Sequence, residues 1–124
     1  MTVGEIKREI MHQTNNDVDD LGDFMPYLMD YINDGYDRLV YAYAETHLGG
    51  NRPRLETDAD VPLLPEWTHR ALTDWATWLV YRNGNPQKQS RGVPFQSMFY
   101  ETLGRITDEG GEKGKVKNFF NIPR

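Results

Sequence analysis

The sequence predicts an all-α protein, a small helical bundle with a long central helix, a C-terminal helical hairpin and a flexible C-terminal tail. First, apolar residues recur with helical spacing in four segments. Second, Asn83-Gly84 ends one segment and Asn85-Pro86 begins the next, a pattern typical of two antiparallel helices joined by a tight turn. Third, glycine and charged residues dominate the chain after Thr107. We therefore assign residues 1–108 to a helical domain and residues 109–124 to a flexible tail.

The composition is that of one domain with a modest core. The chain has 124 residues, of which 38% are apolar and 27% charged, a thin supply for a self-sufficient core. Aromatic residues nevertheless make up 12%, so we expect part of the aromatic surface to be buried between chains. The lack of cysteine excludes disulfides and thiolate chemistry. No apolar stretch has signal-peptide or membrane-span length, so we expect neither export nor a membrane partner.

Charge is divided unevenly between the body and the tail. Residues 109–124 carry four basic and two acidic side chains, so they hold +2 of a total net charge of −5 and residues 1–108 hold −7. An acidic body argues against tight, sequence-specific binding of nucleic acid, which normally uses a basic face.

The N-terminal region predicts a short amphipathic helix and then an acidic loop. Thr2 and Glu5 have the spacing of a capping box. Four apolar residues that follow share one face of a helix ending near residue 13: Val3, Ile6, Ile10 and Met11. Residues 14–23 are too polar and turn-rich to be periodic, and Asp23 is placed to cap the next helix.

A long second helix is predicted from Phe24 to about His47. Pro26 falls in its first turn, where proline is tolerated, and Gly49-Gly50 ends it. Its broad apolar stripe comprises Phe24, Tyr27, Leu28, Tyr31, Ile32, Gly35, Leu39, Ala42 and Tyr43. Residues 51–62 contain two prolines and several acidic residues without a sustained period, so they predict an exposed, mostly irregular connection.

The third and fourth helices form the predicted hairpin. Pro65 lies in the first turn of the third helix, whose stripe is Thr68, Ala71, Leu72, Trp75, Ala76 and Leu79. The apolar pattern of the fourth helix comprises Phe95, Phe99, Thr102, Leu103 and Ile106. Gly92 and Pro94 interrupt that pattern, and an interior proline removes a helical hydrogen bond, so we expect a break near residues 91–93.

An acidic segment has only part of a calcium-loop pattern. Asn15, Asp17 and Asp19 have the alternating spacing of an EF-hand loop. The position that requires glycine is Asp20, and the position that requires a bidentate glutamate is Pro26. A solvated loop with a helix-capping aspartate is therefore the favoured interpretation.

A glutamate–histidine pair has only part of a di-iron pattern. Glu66 and His69 have the i, i+3 spacing of such ligands, but a di-iron centre needs a second pair and two further glutamates. His69 is then a packing or hydrogen-bonding residue at the start of a helix. A nucleophile elbow and glycine-rich phosphate loops are absent from the sequence. We predict no catalytic, cofactor-binding or metal-binding residues, and a protein that is not an enzyme.

A basic, amide-rich patch surrounds the turn between the last two helices. Arg82, Lys88 and Arg91 form it and are candidates for contact with phosphate or with an acidic partner. The alternative is that these cations satisfy carbonyl groups and the helix dipole near the helix ends.

Aromatic residues away from the apolar stripes are candidates for contact with other chains. Tyr36 and Tyr41 lie off the main stripe of the second helix and are candidates for a subunit interface. Trp67, Trp78 and Tyr81 exceed what one core needs. The tail is tipped with Phe119, Phe120 and Ile122, which suggests an anchor for another surface.

Several motifs give a resemblance to a known family. They are the opening Thr2-Val3-Gly4-Glu5-Ile6, the entry Leu64-Pro65-Glu66, His69, Ala71, the turn Gly84-Asn85-Pro86 with a glutamine-rich helix after it, Phe95, Phe99 and Leu103. Over roughly residues 2–107 the chain resembles the head-to-tail connector (adaptor, or head completion) proteins of tailed bacteriophages. The chain departs from that family at Pro94, where the family usually continues its helix, and in its long Gly/Lys tail.

The resemblance implies a structural virion protein of the neck region, assembled in the host cytoplasm. Such a protein forms a homo-oligomeric ring, commonly of about a dozen copies, that binds the portal protein and a tail or stopper protein. DNA passes through the ring without sequence-specific binding. In such a ring we expect Trp67, Trp78 and Tyr81 at subunit contacts. We expect Phe119, Phe120 and Ile122 to dock on the portal or on an adjacent subunit.

Two other functions remain open from the sequence. A small oligomeric DNA-associated packaging or regulatory factor would need a basic recognition helix, for which residues 86–91 are the best candidate. A metal-dependent enzyme is the third interpretation, and bound metal in the purified protein would indicate it.

Overall fold

The computed structural model describes residues 1–14, 25–47, 54–83 and 86–115, of which 44–47 and 109–115 are described by their backbone alone. Four α-helices hold most of these residues: α1 (Val3–Gln13), α2 (Leu28–His47), α3 (His69–Arg82) and α4 (Pro86–Lys115). Short 3₁₀ turns, Met25–Tyr27 and Glu66–Thr68, precede α2 and α3. The described residues contain no strand, and the predicted all-α bundle is confirmed.

Helix α1 begins with the predicted capping box. The Thr2 hydroxyl accepts a hydrogen bond from the Glu5 amide at 3.1 Å, and the Glu5 carboxylate accepts one from the Thr2 amide at 2.8 Å. The apolar face that α1 buries consists of Val3, Ile6 and Ile10. Met11, predicted to share this face, is exposed instead.

Residues 54–65 form an irregular connection, as predicted, but α2 holds it by hydrogen bonds. The buried Asn33 amide donates to the Leu55 carbonyl at 2.8 Å and accepts from the Leu55 amide at 3.0 Å. One helical turn later, the Tyr36 hydroxyl accepts from the Leu63 amide at 3.1 Å. An asparagine side chain thus pairs with this backbone as a strand neighbour would, which satisfies buried polar groups that an irregular segment leaves open.

The same connection also holds the start of α1. The amides of Val3 and Gly4 have no partner within the helix, and they donate to the carbonyls of Asp60 and Asp58 at 2.8 and 2.9 Å. The Lys7 ammonium lies 2.8 Å from the Asp58 carboxylate. The connection therefore joins α1 to α2 without any helical structure of its own.

Helix α3 lies at the centre of the bundle. Eleven of its 14 residues are buried, and it packs against α1, α2 and α4. Trp75 joins three of these helices, because its indole nitrogen donates to Asp34 of α2 at 2.6 Å and its ring lies 4.5 Å from that of Phe99 in α4. Gly35 permits this approach, since a Cβ there would lie 3.1 Å from the indole. The long α2 flanks this centre.

Helices α3 and α4 form the predicted antiparallel hairpin. Ring contacts run in opposite directions along the two helices: Tyr81 stacks on Phe95 with centroids 6.3 Å apart, and Trp75 meets Phe99. Gly92 lies so close to α3 that an added Cβ would be 2.8 Å from atoms of both Trp78 and Tyr81.

The expected break near residues 91–93 is wrong, because α4 runs unbroken through Pro94. Pro94 lacks the N–H that would bond to the carbonyl of Ser90, four residues earlier. Both residues are exposed, so water is available to that carbonyl. The opposite side of the helix keeps Gly92 and Phe99 packed on α3, and this packing outweighs one lost hydrogen bond.

Helix α4 extends past the predicted domain boundary at residue 108 and ends at Lys115. The first seven residues of the predicted tail are thus helical. Propagation of an existing helix adds one hydrogen bond per residue fixed, and no proline lies between residues 95 and 115 to stop it. The remainder, residues 116–124, lies outside the described part of the chain.

Candidate interaction surfaces

The glutamate–histidine pair of the α3 entry is part of a hydrogen-bonded joint. The buried His69 ring donates from Nε2 to the Leu64 carbonyl at 2.8 Å, which leaves Nδ1 to accept from the Met1 ammonium at 2.9 Å. Glu66 lies 2.8 Å from the same ammonium, and this hydrogen bond lowers the pKa of the Glu66 carboxyl. The hydrogen-bonding role predicted for His69 is confirmed. Within residues 1–14, 25–43, 54–83 and 86–108, no three His, Cys, Asp or Glu side chains are grouped to hold a metal ion.

Two of the predicted interface residues are accessible aromatic rings, and one is partly covered. Tyr41 on α2 is 68% exposed. Trp67 is 37% exposed, and the Arg105 guanidinium lies 4.3 Å from its ring centroid. Trp78 is half-buried against Gly92. Tyr41 and Trp67 therefore both present ring surface to solvent.

Tyr36 and Tyr81 are buried in the subunit, so their assignment to a subunit interface is wrong. Tyr36 is 1% exposed and Tyr81 6% exposed. The Tyr36 hydroxyl binds the 54–65 connection, and the Tyr81 hydroxyl donates to the Gln13 carbonyl at 3.4 Å. In α2 the buried stripe passes through Ile32 and Tyr36, four residues apart, and this spacing identifies Tyr36 as a core residue.

Sequence reasoning missed a set of exposed apolar side chains on α4. They are Val93, Met98 and Tyr100. All three lie away from the buried face of α4 that Phe99 and Ile106 define, and this offset is the signal that would have found them. Tyr100 also contacts the ring of Trp75 edge-on, with centroids 5.9 Å apart.

An open groove of about 540 Å³ lies between α2 and α4, and we call it the α2–α4 groove. Its lining residues are Asp34, Asp37, Arg38, Tyr41, Ala42, Leu103 and Thr107. Asp34 accepts from Arg38 at 3.1 Å and from the Trp75 indole at 2.6 Å. The Arg38 guanidinium covers that indole at 4.7 Å from the ring centroid. The groove therefore has apolar and aromatic walls at one end and fixed charged groups at the other.

The basic patch lies at the hairpin end of the bundle. Arg82 is the last residue of α3, while Lys88 and Arg91 share one side of the first two turns of α4. Arg82 and Arg91 are exposed and Lys88 is partly buried. Arg82 is placed to interact favourably with the C-terminal dipole of α3, as the alternative interpretation expects.

Other predicted site residues lie outside the described part of the chain. These are the candidate calcium-loop residues Asn15, Asp17 and Asp19, and the tail residues Phe119, Phe120 and Ile122. Among the helices that the structure describes, none is both long and apolar enough to cross a membrane. Comparison of the chain with protein-family models, with curated proteins and with solved structures found no match.

Proposed function

We propose that the chain is a structural subunit of a tailed-bacteriophage neck. Copies assemble as a ring that joins the portal vertex of the head to the tail and lets DNA pass. The resemblance implies the order short helix, long helix, irregular connection and helical hairpin. The order of α1, α2, residues 54–65 and the α3–α4 hairpin agrees with it and supports the proposal.

The observation that carries the proposal is the number of large apolar side chains that stay exposed although the subunit already has a buried core. Ten large apolar side chains are exposed among the described residues: Met11, Met25, Tyr27, Tyr41, Val61, Leu63, Trp67, Val93, Met98 and Tyr100. Scattered apolar residues are ordinary on a surface, but Tyr and Trp are the residues that anchor protein interfaces. Four of the ten are aromatic.

The charge of the body supports passage of DNA through such a ring. Residues 1–108 carry a net charge of −7, and like charge keeps a phosphate backbone from adhering to the subunits. A head-to-tail contact between identical copies closes into a ring when its rotation permits.

Mass in solution tests the proposal. Light scattering should show a defined ring of the protein alone, or stoichiometric recruitment of monomers when the portal protein of the same phage genome is added. Truncation after Lys115 should leave a folded bundle that fails to join heads to tails in an assembly assay. A stable monomer or dimer that ignores the portal contradicts the proposal.

One added measurement makes a negative result informative. If the portal is ignored, salt-dependent binding to duplex DNA that is weakened by K88Q and R91Q would favour the DNA-associated alternative. K7Q removes a positive charge from α1, outside the basic patch, and is the control.

A further inference from the structure

We infer that the α2–α4 groove receives the aromatic tip of the tail, residues 116–124, of a neighbouring copy of this chain. This inference rests on the proposed function only in requiring that copies meet in an assembly. The groove is open and about 540 Å³ in volume, within the range of pockets that hold a ligand of several rings. Tyr41, Ala42 and Leu103 supply its apolar wall.

The chemistry of the tail matches the groove. Phe119, Phe120 and Ile122 are three large apolar side chains within four positions, and residues 113–124 include four basic side chains and no acidic one. On α2 the stripe that includes the groove carries Asp30, Asp34 and Asp37, at helical spacings of four and three. Of these carboxylates, Asp34 and Asp37 line the groove together with Arg38. Asp34 is bonded to Arg38 and Asp37 lies 3.6 Å from Arg54, so the match rests first on apolar contact and second on a small excess of negative charge.

Reach favours a tail from another copy over the chain's own tail. Helix α4 continues eight residues past Thr107, the last groove residue, and so carries the chain about 12 Å beyond it. Residues 116–119 span at most about 14 Å when extended. A reversal of direction takes about four residues, whose ends lie within about 7 Å of each other. While α4 stays helical, this reversal leaves Phe119 and Phe120 of the same chain beyond Thr107 and short of Leu103, whereas a neighbour's tail is under no such constraint.

A docked neighbour's tail would link copies in one direction. The groove lies beside α2, whereas the tail leaves the far end of α4, so the two surfaces of this contact are different. Such heterologous contacts propagate from copy to copy and close into rings or continue as filaments. The tail would then act as the strap between adjacent subunits.

Binding of a labelled tail peptide tests the inference without a portal. A fluorescein-labelled peptide of residues 113–124 is titrated with the full-length F119S/F120S protein, whose own tail cannot compete. Fluorescence anisotropy should show saturable binding. Adding Y41A or T107R to that protein should weaken binding at least about tenfold, a loss of about 1.4 kcal/mol.

Matched controls separate the groove from charge and folding. S97R adds the same charge as T107R to an exposed residue of α4 about 15 Å away, and it should leave peptide affinity within about twofold. The peptide with both phenylalanines replaced by serine should not bind. Circular dichroism melting confirms that each variant is folded, and the exposed position of Tyr41 makes Y41A the variant least disturbing to the core.

Mixing two variants distinguishes a neighbour's tail from the chain's own. T107R keeps a working tail and F119S/F120S keeps a working groove, so each alone should be monomeric and their equimolar mixture should contain a two-chain species in analytical ultracentrifugation. A mixture that stays monomeric well above the peptide's Kd overturns docking between copies. Absent peptide binding, or binding that Y41A and T107R leave unchanged, overturns the groove as the site. Portal recruitment in light scattering is read separately, so loss of the neck function does not mimic either result.

Discussion

Replacing Asp74 by asparagine should stabilise the protein at neutral pH and change it little near pH 4. Asp74 lies on α3, is 5% exposed, and its Oδ1 has no hydrogen-bond partner among the described residues. Burial raises the pKa of this carboxyl to about 6, although Arg70 and a hydrogen bond from the Gln13 side chain act in the opposite direction. The folded protein therefore contains a carboxylate that is costly to ionise.

The magnitude follows from linkage between protonation and folding. The pKa of Asp74 is about 6 when folded and 3.8 in the reference state, and each unit corresponds to about 1.4 kcal/mol. Ionised Asp74 then costs about 3 kcal/mol above pH 6. This value is an upper bound on the gain from D74N, because the buried asparagine amide is also polar and needs hydrogen-bond partners. The cost disappears as the pH falls from 6 to below 3.8, where Asp74 is protonated in both states.

Urea unfolding of wild type and D74N between pH 4 and pH 8 measures this difference. D74N should be more stable by up to about 3 kcal/mol at pH 7.5, and the two proteins should converge near pH 4. D60N is the control of opposite sign, because the Glu56 and Thr57 amides donate to Asp60 and lower its pKa. D60N should lose stability at neutral pH and approach wild type in acid. A D74N protein no more stable than wild type at pH 7.5, or a difference independent of pH, would refute the reasoning.

Three further substitutions test packing and assembly. G92A should destabilise the bundle by about 1–3 kcal/mol in urea unfolding, because its Cβ would meet α3 at 2.8 Å, whereas G104A has open space and should be neutral or stabilising. N33A should cost about 1–3 kcal/mol, since it leaves both buried backbone groups of Leu55 without partners; full stability would contradict that role. W67A should prevent oligomer assembly or portal recruitment in light scattering while its melting temperature stays near that of wild type. Unchanged assembly would show that the Trp67 side chain is not part of the interface.

The sequence predicted correctly those helices whose ends are marked by capping or helix-stop motifs. The Thr2–Glu5 capping box placed α1, and the Asn-Gly-Asn-Pro sequence at residues 83–86 placed the hairpin, because these motifs satisfy backbone groups within a few residues. The break predicted near Pro94 was wrong because a long-range contact outweighs the local effect of the proline. Its cost is local, while the packing of α4 on α3 that outweighs it is visible only in three dimensions.

The candidate surfaces were predicted less completely than the fold. Tyr36 was assigned to an interface because the predicted apolar stripe of α2 passes through its neighbour Gly35. In the structure the indole of Trp75 packs against Gly35 and Tyr36 is buried as well, so the buried surface of α2 is wider than the predicted stripe. The α2–α4 groove joins residues about sixty positions apart, and no spacing along the chain indicates such a pairing. The hydrogen bonds between Asn33 and Leu55 were also not predicted, since the sequence does not show which backbone groups a single polar residue of α2 will bind.

The pinning of α1 by residues 58 and 60 has a consequence for the order of folding. The first-turn amides of α1 bond to carbonyls more than fifty residues further along the chain, whereas only three residues separate α3 from α4. Closing a long loop is entropically costlier than closing a short one, so the hairpin should form early and α1 should dock late. During synthesis, α1 leaves the ribosome before residues 58 and 60, so these hydrogen bonds can form only after that segment has been made. Amide hydrogen exchange of the native protein should therefore show α1 opening at a lower free energy than α3.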